Sequence, residues 1–470
     1  MKATSPSAAA SRRDRNAVRF FILLLVPAVV VWLAASASAA DYYLSPSGDD
    51  AHTGASPQQA WKSLSQVNDL DLAPGDRILL EGGARFEGNL LFDAEDRGVG
   101  ANPIIVTSYG TGRATIDAGN GHGVYAYNTA GISLSRINLF GNGETDHSAT
   151  GVVFYTDLPG DIKLTGIRLD EIEVSGFSKN GIEIGSWNGR SGFQDVRITH
   201  AVIHDNRLNG LITYAERPYT HEQVYVGYVQ AYRHVGDRSV QPNSGSGIIL
   251  GGVKHGTIER SVAHDNGWLG DAGVGIWTYA STGISIQYNE SFRNHTAGTH
   301  DGGGFDLDGG VTDSVLQYNY SHDNDGAGYL LCQYPEADPW FDNTVRHNIS
   351  VNDGRKNGYA GIQVWDSGPG LSGGDIHDNL VIIGLSAHGT PSALYFAHGT
   401  RRFLIHQNAF ITAGAARLMT LAPGQEDLFL MHNRCWSVAT PAVIDDAWTT
   451  DVLASPPDPT CHEPSRLLTP

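Results

Sequence analysis

The chain has 470 residues and a formal net charge of −19, with 57 glycines, 9% aromatic residues and 3 methionines. A surface this acidic excludes a nucleic-acid binder, which needs a basic face, and the glycine content suits a turn-rich all-β chain. The 3 cysteines show no zinc-ligand spacing, and no metal chemistry is implied by them.

Residues 1–40 read as a secretory signal: Arg12, Arg13, Arg15 and Arg19 precede an apolar run from Phe20 to Leu33, which ends in the small residues Ala34 to Ala40. The expected destination is periplasmic or extracellular, with no membrane association once the signal is removed. Its removal takes five basic residues and one acid, so the remainder is more acidic still.

Residues 41–117 differ in pattern from the rest of the chain. Tyr42-Tyr43-Leu44-Ser45-Pro46 leads through a Gly/Asp-rich turn to residues 57–67, where Trp61, Leu64 and Val67 share a face at helical spacing. Leu72 to Leu80, with Pro74-Gly75-Asp76 inside it, reads as a strand after a turn.

Residues 118–440 carry a repeat, clearest from Gly166 onward. Asn289, Asn319, Asn348, Asn379, Asn408 and Asn433 recur every 25 to 31 residues. Between them come short alternating segments behind a glycine, such as Gly275-Ile276-Trp277-Thr278, Gly304-Phe305-Asp306-Leu307 and Gly361-Ile362-Gln363-Val364, with further strand-like segments such as Asn343-Thr344-Val345-Arg346. Period-two alternation, several strands per repeat and no amphipathic helix predict an all-β solenoid, the parallel β-helix. The asparagines then form a structural column at a turn. The His-Asp-Asn triplets beginning at His204, His264 and His322 take the same reading. Residues 41–117 become an N-terminal cap over the open end of the solenoid, and residues 441–470 a C-terminal tail. Cys435 and Cys461 flank the last coil and are placed to staple that tail; Cys332 sits at an outward strand position.

The start around Tyr42-Tyr43-Leu44-Ser45-Pro46 and the Pro74-Gly75-Asp76-Arg77-Ile78-Leu79 strand resemble the N-terminal region of secreted bacterial right-handed β-helix enzymes acting on polysaccharides, the pectate-lyase-like superfamily. The resemblance extends in architecture over most of the chain after residue 40. It implies a right-handed helix and a polysaccharide or oligosaccharide partner. It does not single out a reaction, because that superfamily holds lyases, hydrolases, epimerases and glycan binders.

Aligning the glycine-led strands sorts their residues. Ile182, Leu211, Ile248, Ile276, Phe305, Tyr329, Ile362 and Leu394 should stack inward. Two outward columns run alongside, one through Glu183, Trp277, Asp306, Leu330 and Gln363, the other through Tyr214, Tyr279, Asp308, Cys332 and Trp365. On this register Asp306 and Asp308 face solvent together, with Trp277, Tyr279 and Tyr214 above them and Gln363 and Trp365 below. Aromatic rings beside carboxylates suit a sugar, the rings stacking and the acids working on the glycosidic bond.

His300 to Gly310 is the densest polar stretch and adds His300 and Asp301 as assisting groups. Asp366 and His398 end neighbouring rows as further binding candidates. Residues two apart on a strand lie ~6.6 Å apart, within the ~6.5–9.5 Å carboxylate separation of inverting glycosidases. The favoured reading is a monomeric glycoside hydrolase needing no cofactor. The alternatives are a polysaccharide lyase holding calcium on Asp301, Asp306, Asp308 and Asp325, with Lys254 as base, and a non-catalytic glycan-binding β-helix. For Trp277 and Trp365 the competing role is packing under a loop over residues 333–342.

Overall fold

The computed structural model describes residues 39–143, 148–239, 243–368 and 370–438. The signal-like segment up to residue 38, the tail over residues 441–470 and Cys461 lie outside them. Cys435 is disulfide-bonded, and Cys332 is a free thiol.

Strands wind through three parallel sheets of 16, 12 and 13 strands among the described residues, and each coil contributes to all three in turn. One coil runs Ile182–Ser186, Gly192–Thr199, Val202–His204 before the next begins at Leu211–Ala215. We call the sheet that opens each coil the groove sheet. The inward stack has the expected register: Ile248 pairs with Ile276, Ile276 with Phe305, Phe305 with Tyr329 and Tyr329 with Ile362, and all are fully buried in one continuous core. No single coil encloses enough apolar surface to fold alone, so stacking supplies the stability.

The asparagine column marks the bend between the second and third strands of a coil. Tyr288, Tyr318 and His347 turn the chain at φ 58°, 57° and 54°, a left-handed conformation unusual for such side chains. The asparagine after each of them points inward. Asn319 Nδ2 donates to Ile286 O at 2.8 Å and to Asn348 Oδ1 at 3.1 Å, while its backbone N–H donates to the same Asn348 oxygen at 2.9 Å. Repeated from Asn289 to Asn433, these bonds satisfy the peptide groups that the bend removes from the sheet. The histidines form a second ladder on the third sheet, His204, Tyr232, His264, Phe292 and His322 stacking at 4.8 to 5.1 Å.

The helix expected over residues 57–67 reduces to a single 3₁₀ turn at Pro57–Gln59 and one α turn at Ser65–Asn68. Trp61 instead bridges to Leu44 in extended backbone, and Trp61, Leu64 and Val67 are buried in the main core. Their burial is achieved by the short turns, so no longer helix is needed.

Candidate active-site groove

A groove of about 880 Å³ runs across the groove sheet. The sheet supplies its floor. One wall comes from the segments that lead from the third strand of a coil into the next glycine-led strand, and they bring Asp271, His300, Asp301 and Tyr359 to the site. The structure corrects the expected exposure of the first outward column. Trp277, Asp306, Leu330 and Gln363 do share one face, but they are 7%, 3%, 4% and 5% exposed. Trp277 packs against Ile249 and Val274 of the same sheet, a lateral contact that the alternation of one strand does not show.

Asp306 is buried, and its Oδ1 has no hydrogen-bond partner. Burial and the neighbouring Asp308 and Asp301 raise its pKa well above the ordinary carboxylate range. Asp308 lies one residue past the strand Gly303–Leu307, half-buried and lining the groove. Burial pushes its pKa up to about 6, against the opposing effect of hydrogen bonds from the Gly309 backbone and the Cys332 thiol. Its Oδ1 is left without a partner inside the groove.

Asp301 enters from the wall, at φ 43° and just ahead of the same strand. Burial, reinforced by the charge on Asp308, pushes its pKa up to about 7. Its backbone N–H donates to Tyr359 Oη at 2.8 Å. The groove thus presents two accessible carboxylates, Asp301 and Asp308, beside a third that is buried. His300 lies outside them, with Nδ1 3.3 Å from Asp271 Oδ2 and its side chain 65% exposed.

The aromatic candidates Trp277 and Trp365 both line the groove and differ in burial. Trp277 packs with Ile249 and Val274, and its Nε1 donates to Ser246 Oγ at 3.0 Å. Trp365 is half-buried on the groove and meets His398 edge-on at 6.0 Å. Tyr279 also lines the groove. From the loop after Gln333, two rings take different directions. Tyr334 lines the groove, and Trp340 turns into the solenoid interior, where Nε1 donates to Leu307 O at 2.9 Å.

Four sequence candidates fall elsewhere. Tyr214 is not a groove-lining residue; its hydroxyl donates to Glu183 Oε1 at 2.8 Å, in a network with Lys179. Asp366 is 6% exposed and accepts the Gly368 N–H at 2.8 Å. Lys254 belongs to the strand Val253–Glu259 of a different sheet, because Gly252 at φ 69° turns the chain before it. Asp325 accepts the Thr296 N–H at 3.0 Å and faces a neighbouring depression. The four acids proposed for calcium are therefore not gathered into one ligand set. Among the described residues, the acid and histidine atoms that do converge are those of Asp375, His377 and His406 on another sheet.

Strand alternation carries no signal for Tyr359, Asp271 or Asn243, which reach the groove from irregular segments. It does place Cys332 outward, but it is silent about the contact between Cys332 and Asp308.

A family model described as a right-handed β-helix region matches residues 224–381. A lacto-N-biosidase from Bifidobacterium longum subsp. longum is 24% identical over 489 aligned positions, covering 80% of this chain. The chain spans only 29% of that relative's length. Among solved structures, a lacto-N-biosidase from Eubacterium ramulus superposes with a TM-score of 0.61 at 21% identity, covering 84% of this chain and 67% of the other. The A-module of the mannuronan C-5 epimerase AlgE4 from Azotobacter vinelandii gives 0.50 at 15% identity, covering 81% and 93%. These structures show the fold, the right-handed parallel β-helix.

Proposed function

We propose that this chain is a glycoside hydrolase acting on an oligosaccharide, with Asp301 and Asp308 as its paired carboxylates. The observation that carries this reading is their shared groove, in which burial raises the pKa of both carboxyls. Acid-base cleavage of a glycosidic bond requires one carboxyl of the pair protonated and the other ionised. Asp301, the weaker acid, keeps its proton for the departing sugar oxygen. Asp308, with the Gly309 N–H and the Cys332 thiol supporting its charge, acts as the ionised partner, and Trp365 offers a ring edge or face to a sugar. Asp306 is a third, buried acid of this cluster, its pKa raised by burial and by the two neighbours.

Among the described groove-lining residues there is no Lys or Arg. A uronate carboxylate would lack a cationic partner there, and a lyase would lack the base common in this superfamily. That favours hydrolysis of a neutral glycan over elimination. The lacto-N-biosidase relative points to the same substrate class. Incubation with an aryl lacto-N-bioside tests the reading: release of the phenol by the wild type and its loss in Asp301→Asn and Asp308→Asn are expected. An inactive wild type across neutral oligosaccharides, or an unsaturated product absorbing in the ultraviolet, would overturn it.

A further inference from the structure

Beside the groove lies a second depression of about 560 Å³. Its most conspicuous residue is Trp268, which is 54% exposed although water disfavours so large an apolar surface. One face of the indole stacks on His295 with ring centroids 3.6 Å apart, so the exposed surface is the opposite face and edge. Around it stand Thr296, Asp325, Lys356, Asn357 and His388, hydrogen-bonding groups of both senses and both charges. A flat aromatic face ringed by mixed donors and acceptors matches a pyranose, whose C–H face stacks while its hydroxyls both donate and accept. Tyr318, also exposed, is by contrast sandwiched between Tyr288 and His347 at 5.1 and 4.9 Å.

The depression adjoins the groove, and Asn357 lines both. The wall between them is the segment from Thr296 to Asp301, with Thr296 on one side and Thr299, His300 and Asp301 on the other. It is pinned from across the gap: Lys356 Nζ donates to Thr296 O at 2.5 Å and Asn357 Nδ2 to Gly298 O at 3.3 Å. Asp301 is the group assigned above to protonate the departing oxygen, so the sugar it releases lies on the side of this wall.

We propose that the Trp268 depression is a further sugar subsite on the leaving-group side, holding a unit of the substrate beyond the bond cleaved. This rests on the glycoside hydrolase reading. The test compares two substrates sharing one lacto-N-biosyl unit, a 4-nitrophenyl glycoside and an oligosaccharide in which that unit is followed by two further sugars. Trp268→Ala should lower kcat/KM for the oligosaccharide by roughly 10-fold, the scale of a lost aromatic anchor. The aryl glycoside should change less than about twofold, and Trp268→Tyr should restore most of the loss. The melting temperature, read alongside, should be nearly unchanged. Equal losses on both substrates, or none on either, would overturn the subsite while leaving the hydrolase reading standing. A wild type that cleaves neither substrate would overturn the hydrolase reading and the subsite with it.

Discussion

Tyr359 and Asp301 meet across 58 residues of sequence: the Asp301 N–H donates to Tyr359 Oη at 2.8 Å, and that hydroxyl reaches Asp301 Oδ1 at 3.3 Å. One side chain thus holds both the backbone and the carboxylate of the proposed acid. Its bond to the carboxylate lowers the Asp301 pKa against the larger raising effect of burial. Tyr359→Phe should therefore shift the alkaline limb of the pH–rate profile upward and lower kcat by about 10-fold through loss of positioning. A profile identical to wild type would remove Tyr359 from the site.

The three acids should separate by mutation. Asp301→Asn and Asp308→Asn should each lower kcat by about 100-fold or more, as loss of a general acid or base does. Asp306→Asn replaces a buried group outside the proposed pair with a near-isostere, and less than about a 10-fold loss is expected. Steady-state kinetics on the three purified variants decides this. A collapse of activity in Asp306→Asn and Asp308→Asn, with Asp301→Asn near wild type, would return the pair to Asp306 and Asp308.

Activity should peak between about pH 6 and about pH 7, where Asp308 is ionised and Asp301 protonated, the two limbs belonging to the coupled pair. Stability has a different pH dependence. The Asp301 pKa is raised in the folded state from 3.8 to about 7, so the fold binds its proton more tightly than the unfolded chain does. The contribution is complete below about pH 4 and is lost as pH rises through 7. Asp301→Asn should melt above the wild type at pH 8, with the gap closing toward pH 4. A gap of constant size would contradict the raised pKa.

The two tryptophans should respond in opposite ways. Trp277, packed against Ile249 and Val274, should cost about 3–5 kcal/mol of folding stability when changed to alanine. Trp365 lines the groove and is only half-buried; its alanine variant should weaken glycan binding by about 1–3 kcal/mol with little effect on melting. Calorimetric melts and a glycan titration on both variants check the division.

Asn348→Ala should destabilise the solenoid without touching the groove. It removes the acceptor for the Asn319 backbone and side-chain N–H groups and the donor to Leu316 O. Each stranded group costs about 1–3 kcal/mol. Denaturant melts should show the loss, while KM stays unchanged.

How much is legible in the sequence depends on which contacts are periodic. Ile248, Ile276, Phe305, Tyr329 and Ile362 stack as their alternation requires, because a strand has a period of two and a one-residue slip would expose the whole core face. The asparagine ladder is legible for the same reason: each coil repeats the bend and must satisfy the same peptide groups. The groove is legible only in part. Alternation identifies Asp306 and Asp308 as outward residues, but it describes a bare sheet and is silent about the connecting segments laid upon it. Those segments bring Asp301 and Tyr359 together from two coils 58 residues apart. Irregular backbone has no period to read, so the residues it carries to the site are decided by tertiary packing alone.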